Sequence, residues 1–315
     1  LGKIYVVIPM YNAIKSIDSA IKSAISQKKV DVHVVLVDHG SKDGTYKYVE
    51  QNYEQFSNIS IIGLTRISNE VRSASRPLNN GMKYVLEHAS DSDWVMRLDA
   101  DDVLANEYTL YRVMQSNASG CVLLSGSMIF INTNIGYAQE YCQEKRYCSV
   151  SELRKGAAYA YPHHSTLVSL KLLRKIWDKD GYCYYEKIGY GEDLDYTVRM
   201  LSLCKEKQMV FTAVPMIIKE LSGDTITNSV GLGTLMYDHF AIFRRNSCLS
   251  KWLFLKIVFW YLLENCGNVG RKLNGMRTPP AIKYSVSNVL DFESVKHMKE
   301  IWNAYKENVH EDSVF

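Results

Sequence analysis

The chain has 315 residues, 47% hydrophobic and 23% charged, enough apolar material for one large or two small globular domains and far from a disordered composition. A formal net charge of +3, with no basic block interleaved with aromatics, gives no reason to expect a nucleic-acid partner. Seven cysteines show neither a Cys-x-x-Cys pair nor zinc-ligand spacing, and no signal peptide opens the chain; reduced thiols in a cytoplasmic protein are expected.

In chain order, Ile4 to Pro9 is a short β-branched run, and Pro9 is expected to stop its hydrogen-bond ladder. Ile14, Ile17, Ile21 and Ile25 recur at helical spacing within Ala13 to Ser26. Val32 to Val37 reads as the next strand, followed by an Asp38-His39-Gly40-Ser41 turn and a helix from about Thr45. Ile59 to Leu64 is strand-like, Leu78 to His88 helical, and Trp94 to Leu98 strand-like again. Short continuous apolar strands alternating with helices predict a largely parallel sheet covered on both faces. In such a sheet the loops after the strands share one edge, so Pro9 to Asn12, Asp38 to Thr45 and Asp99 to Asp102 should be neighbours.

The second half is less regular. Cys121 to Asn132 reads as one long strand, and Tyr137 to Gly156 is polar and ambiguous. His163 and His164 precede a short strand, Ser165 to Ser169, where neighbouring side chains should point to opposite faces. Ser169 to Trp177 and Glu192 to Cys204 have helical spacing, and from Met236 the chain turns helical and apolar. The run Trp252 to Leu263 falls short of the roughly 20 residues needed to cross a bilayer.

Asp99, Asp101 and Asp102 end an apolar run abruptly. Carboxylates packed this closely repel one another unless a cation or solvent intervenes. At the end of a buried strand they suit a hard divalent ion and a diphosphate. Two aspartates two residues apart on an extended strand end would address one ligand together.

Five segments carry a resemblance: Val7-Ile8-Pro9-Met10-Tyr11-Asn12, Val37 to Thr45, Arg76-Pro77-Leu78-Asn79-Asn80-Gly81, Leu98-Asp99-Ala100-Asp101-Asp102, and Gly191-Glu192-Asp193-Leu194-Asp195. In this order, over roughly residues 3 to 230, the chain resembles glycosyltransferase family 2, the inverting nucleotide-sugar enzymes of GT-A fold. The resemblance implies an α/β, Rossmann-like, mostly parallel sheet flanked by helices in residues 1–230, with a helical C-terminal extension over 231–315.

It also implies roles. Pro9, Tyr11 and Asn12 would lie against the base and ribose, and Asp38 would accept the imide N–H of uracil. Turn chemistry at the start of a helix explains Asp38 equally well. Arg76, with Arg72 nearby, would meet base or phosphate. Asp99 would face the ribose or the metal shell, and Asp101 would bind Mg²⁺ or Mn²⁺, with Asp102 behind them or capping the next helix. Asp193 would be the general base, its pKa raised by partial burial, with Asp195 as fallback. Acidic residues opening a helix also simply stabilise it. Glu192, His163 and His164 would line the acceptor site. Two departures stand out: His39 replaces the usual acidic residue or Asn, and Leu221 falls where relatives carry a metal-binding His, with Lys219 close by as a substitute charge.

The expected function is metal-dependent, inverting transfer of a sugar from a nucleotide-diphosphate sugar, with UDP as the nucleotide. The acceptor would be a saccharide or lipid-linked oligosaccharide in surface polysaccharide synthesis. A non-catalytic sugar-nucleotide-binding subunit and a nucleotidyltransferase are the rivals. The latter should carry a Gly-rich, basic loop after the first strand, which Pro9 to Ala13 is not. The apolar C-terminal run, flanked by Arg244, Arg245, Lys251 and Lys256, would touch the inner face of an anionic membrane, pack on the catalytic domain, or join two copies of the chain.

Overall fold

The computed structural model describes residues 2–68, 70–71, 73–132, 137–141, 163–220, 232–265 and 288–289. Arg72, Leu221 and most of the stretch Tyr137 to Gly156 lie outside the described residues. The first half alternates strands and helices: β1 (Ile4–Met10), α1 (Ile17–Ile25), β2 (Val32–Asp38), α2 (Thr45–Tyr53), β3 (Ile59–Gly63), α3 (Ser75–His88) and β4 (Trp94–Arg97). There follow β5 (Asp102–Leu104), α4 (Thr109–Gln115), β6 (Leu123–Asn132), β7 (Tyr137–Tyr141), β8 (Thr166–Ser169), α5 (Leu170–Asp180) and α6 (Glu192–Ser202). The described chain closes with β9 (Met209–Glu220), α7 (Leu232–Arg245), α8 (Lys251–Asn265) and β10 (Asn288–Val289).

The strand order is β10-β7-β6-β8-β4-β1-β2-β3, with β9 pairing both β5 and β6. The expected parallel sheet is its first-half portion, β4-β1-β2-β3, in which β1 pairs in parallel with both β2 and β4. Beyond β4 the ladder changes sense: β8 runs antiparallel to β4 and β6, and β9 antiparallel to β5. In the parallel half, α1, α2 and α3 supply the crossovers that parallel pairing requires.

The continuous apolar runs of β1 and β2 arise because both faces of the sheet are covered. Tyr5, Val7, Val35 and Val37 pack with Leu78, Met82 and Val85 of α3. The alternate residues Ile4, Val6, Ile8, Val34 and Leu36 pack with Ile17 and Ile21 of α1 and Val49 of α2. So α1 and α2 lie on one face and α3 on the other. The chain moves outward from β1 to β3, then returns to β4 on the far side of β1. This reversal opens a crevice at the C-terminal strand ends, where open α/β sheets bind ligands.

Pro9 does not end the ladder: it lies within β1 opposite Val37, and pairing continues to Met10 and Asp38. A proline is tolerated there wherever its nitrogen is not called on as a donor. The helices α7 and α8 are joined by Phe254, which contacts Phe240 and Phe243. Ile242 of α7 is fully buried against the same core as Leu194 of α6.

Candidate active site

The first two strand-end loops are stitched together. Asn12 N donates to Ser41 Oγ at 2.9 Å, and Lys42 N donates to Asn12 Oδ1 at 2.8 Å. Ala13 N donates to Thr45 Oγ1 at 2.8 Å and Ile14 N to Asp43 Oδ2 at 3.1 Å. Asn12 holds a left-handed φ of 50°, a conformation that Asn tolerates better than most residues. Its side chain is thus committed to the neighbouring loop, which makes it a bridge rather than the base contact expected of it. Pro9 lies in β1 below this stitching, and Tyr11, 38% exposed, stands at its rim with the Arg66 guanidinium 4.8 Å from its ring centre.

Asp38 closes β2 and is buried. Its Oδ2 accepts from Gly40 N at 2.9 Å and Ser41 N at 3.0 Å, which is the turn chemistry expected. Its Oδ1 is buried and, among the described residues, has no hydrogen-bond partner. A carboxylate oxygen left so is costly unless a ligand donor reaches it. Both roles expected of Asp38 therefore fall on one side chain, one oxygen each.

His39 is also buried, with Nε2 2.9 Å from Glu70 Oε1. Arg76, in the first turn of α3, donates to the Thr65 carbonyl at 2.9 Å and lies 3.3 Å from Glu70. Arg76 is therefore engaged rather than held ready for base or phosphate. Glu70 links the two, and nothing in the sequence pattern pointed to it. Its carboxyl sits below the usual range: burial pushes it up, but the Ile67 N–H, His39 and Arg76 outweigh that.

The acidic element differs from an extended strand end. β4 stops at Arg97, and Asp102 N donates to Asp99 O at 3.1 Å, closing a tight turn. The turn brings Asp99 and Asp102, three apart, onto shared partners. Lys219 Nζ lies 3.1 Å from Asp102 Oδ2 and 3.5 Å from Asp99 Oδ2. His164 Nδ1 lies 3.1 Å from Asp99 Oδ2 and 3.8 Å from Asp102 Oδ2, and Arg97 Nε donates to Asp99 Oδ1 at 2.6 Å. Asp102 does not cap a helix: it is fully buried in β5, opposite Lys219 of β9. Asp101 is exposed and has no ion-pair partner within 4.0 Å among the described residues.

Charge crowding sets the protonation of these groups. Burial pushes the Asp99 carboxyl up, but Arg97, His164 and Lys219 together hold it well below the usual range. Asp101 is raised, by desolvation and then by Asp102. Lys219 is raised despite its burial, because Asp99, Asp102 and Asp101 favour its charge. His164 is raised despite burial by Asp99 and Asp102, whereas His163 is held well below its ordinary value by burial and by His164.

The two histidines do not diverge. They lie on a single 3₁₀ turn (His163–Ser165), so the alternation of a strand does not apply, and their rings sit 3.8 Å apart between centres. His164 joins the acidic cluster rather than an acceptor surface. His163 Nε2 lies 3.7 Å from Asp193 Oδ2 and ties the cluster to the start of α6.

Gly191 caps α6 with φ 77°, where a Cβ would lie 3.0 Å from Ile242 Cδ1. This turns Glu192 and Asp193 toward the sheet edge. Asp193 is 41% exposed beside His163. Burial and then Asp193 push the carboxyl of its neighbour Glu192 up to about 7. Asp195 points away. It is fully buried, accepts from Arg199 Nε at 2.9 Å and Asn246 Nδ2 at 2.8 Å, and belongs to the framework. Asn79 of α3 clamps the preceding loop, with Oδ1 accepting from Cys183 N at 3.0 Å and Tyr184 N at 2.8 Å. A charged Arg97 inside an apolar strand is a signal the sequence offers, and Asn79 lies in one of the resemblance segments; Glu70 and Asn246 carry no such signal. A cavity of about 330 Å³ lined by Asp91, Trp94, Asn117 and Lys171 involves none of these residues.

These features define an α/β protein with a cation-facing acidic turn, a buried carboxylate with one oxygen unpartnered among the described residues, and a carboxylate–histidine pair at one sheet edge. The glycosyl transferase family 2 model matches residues 5–147, so that part of the chain is similar to this family. The chain is 26% identical to an uncharacterized glycosyltransferase of Mycoplasma genitalium over 107 residues, 33% of this chain and 34% of that protein. It is 29% identical to the cholesterol galactosyltransferase of Borreliella burgdorferi over 116 residues, 37% of this chain and 29% of that protein. These matches span about a third of each relative's length.

Among solved structures, S. aureus TarS 1–349 in complex with UDP has a TM-score of 0.56 at 17% identity, covering 99% of this chain and 93% of that one. The mannosyltransferase PcManGT from Pyrobaculum calidifontis, in complex with GDP-Man and Mn²⁺, has a TM-score of 0.52 at 12% identity, covering 98% and 87%. The fold is that of these GT-A glycosyltransferases.

Proposed function

We propose that the chain is an inverting glycosyltransferase that moves a sugar from a UDP-sugar to a hydroxyl of a saccharide or lipid-linked acceptor, in surface polysaccharide synthesis. The observation that carries it is the buried, unpartnered Oδ1 of Asp38, on the same sheet edge as the Asp99–Asp102 turn and the Asp193–His163 pair. An imide N–H of uracil satisfies that oxygen, and cytosine, with no hydrogen at the same ring position, does not. UDP is also the nucleotide carried by the S. aureus TarS structure. Tyr11 supplies a flat face beside it, and Asn12, Pro9 and Arg76 fix the loops around it.

Asp193, half-exposed beside His163, takes the proton of the acceptor hydroxyl as that oxygen attacks the anomeric carbon from the side opposite the diphosphate. One displacement inverts the configuration, so positioning and one base suffice. Glu192, largely protonated below pH 7, adds a hydrogen-bond donor to the acceptor side. Asp101 is the donor residue that fits a divalent ion, being exposed and unpaired. Mn²⁺ or Mg²⁺ there, completed by the diphosphate and water, would neutralise charge on the leaving group. Residues 1–230 form the catalytic unit in this scheme, and 231–315 the extension.

A thermal-shift panel of nucleotides with and without Mn²⁺ tests the donor site. UDP should stabilise the protein more than CDP, GDP or ADP, and Asp38→Asn should remove that preference. No response to any nucleotide would favour a non-enzymatic role.

The extension adds a membrane surface. Tyr237, Phe240, Trp252, Leu255 and Phe259 are exposed, and Trp252, Leu255, Lys256 and Phe259 fall at one helical face of α8. Exposed Arg244, Lys251 and Lys256 complement anionic headgroups. Among the described residues no helix is long and apolar enough to cross a membrane. Sedimentation with phosphatidylserine vesicles should exceed that with phosphatidylcholine, and Trp252→Ala should reduce it; equal recovery with both lipids would reject this surface.

A further inference from the structure

The Asp99–Asp102–His164 cluster has the donor atoms of a metal site, all within 4.8 Å of one another. Yet the oxygens such an ion would take already face a cation. Lys219 Nζ sits 3.1 Å and 3.3 Å from the two oxygens of Asp102, and 3.5 Å from Asp99 Oδ2. Arg97 Nε takes the other Asp99 oxygen at 2.6 Å. Two carboxylates thus meet one ammonium and one guanidinium, and the charges of these four groups cancel before any ion arrives. His164 Nδ1 is buried and lies 3.1 Å from Asp99 Oδ2 without aligned hydrogen-bond geometry, so its lone pair or proton is not fully used.

Lys219 is not placed by chance of a long side chain. It stands directly opposite Asp102 in the β5–β9 ladder, so backbone pairing fixes its root. Its side chain is 24% exposed. An ammonium has three hydrogens and no lone pair. It cannot act as a ligand beside a divalent ion, and it repels one at contact distance.

We propose that Lys219 is a resident cation filling the Asp99–Asp102–His164 site, so that the donor-free protein excludes divalent metal from it. Resting on the donor assignment above, the same ammonium then stands beside the diphosphate as a permanent positive charge. Any divalent ion is restricted to Asp101 and the phosphate oxygens. Removal of the ammonium uncovers a latent metal site made of two carboxylates and one imidazole.

The test is Mn²⁺ titration of the donor-free, full-length protein, followed by calorimetry and by the loss of free-Mn²⁺ electron paramagnetic resonance signal. Lys219→Met, close in length and uncharged, should bind Mn²⁺ at least tenfold more tightly than the wild type. Adding Asp102→Asn to that variant should abolish the gain. Unfolding curves without metal confirm that each variant is folded, and Lys219→Gln provides a second uncharged replacement should the Met variant not fold. Unchanged or weaker Mn²⁺ binding in the folded variant overturns the proposal, as does tight wild-type binding that Asp102→Asn removes. Because the titration contains no nucleotide, its failure is separate from failure of the UDP panel.

Discussion

Two aspartates two residues apart, Asp193 and Asp195, stand in opposite environments, and replacing each with Asn separates catalysis from folding. Asp195 is fully buried, with one oxygen 2.9 Å from Arg199 Nε, and the other 2.8 Å from Asn246 Nδ2 and 3.5 Å from Arg245 Nε. Asn keeps the shape but turns one acceptor into a donor that faces another donor, and leaves Arg199 with less compensation. Breaking a buried pair of this kind costs about 3–5 kcal/mol. Arg199 retains Asp180 at 2.9 Å, which sets the expectation at the lower end, about 3 kcal/mol. For a domain of this size that lowers Tm by about 6–12 °C. Asp193, 41% exposed and without such a network, should change stability by less than about 0.5 kcal/mol when replaced by Asn. Its loss should instead lower kcat by about 10²–10⁴. Differential scanning calorimetry and product formation, measured on both variants, give the two readouts. If Asp193→Asn transfers sugar normally while Asp195→Asn is stable and inactive, the roles are reversed and the base assignment is wrong.

Glu192 titrates at about 7 in the folded protein against an ordinary 4.5, so its stabilisation is fully present below pH 4.5 and is lost as pH rises through 7. The stability advantage of Glu192→Gln over the wild type should therefore grow between those pH values, by about 1–3 kcal/mol in all, and level off above, as read from denaturant unfolding; a pH-independent difference refutes the elevation. Gly81→Ala would bring a Cβ to 2.4 Å from Val7 Cγ1 and 3.2 Å from Val37 Cγ2. Overpacking of about 1–3 kcal/mol outweighs the helix-propensity gain of at most about 1 kcal/mol, so Tm should fall, and Val7→Ala in the same chain should recover part of it. Asp38→Asn should weaken UDP binding about tenfold or more while Tm without nucleotide changes little, because the side-chain oxygen still accepts from Gly40 and Ser41; unchanged UDP affinity would place the base elsewhere.

The parallel half of the sheet was legible in the chain itself. Runs such as Ile4 to Pro9 and Val32 to Val37 have no polar alternation, which is a local consequence of burial on both faces. The grouping of the loops Pro9 to Asn12, Asp38 to Thr45 and Asp99 to Asp102 at one edge also followed, because strands alternating with crossover helices leave their C-terminal ends together. Three-dimensional closure decided the rest. The 3₁₀ turn that swings both histidines inward, and the tight turn that pairs Asp99 with Asp102 instead of Asp101, depend on hydrogen bonds that no periodicity encodes. Lys219 reaches the acidic turn from 117 residues away, through a ladder whose register only the assembled sheet sets. Burial then divided the carboxylates, lifting Glu192 and leaving Asp195 to the framework. Residue type is local, but charge state and partnership are set by which distant groups share the same desolvated space.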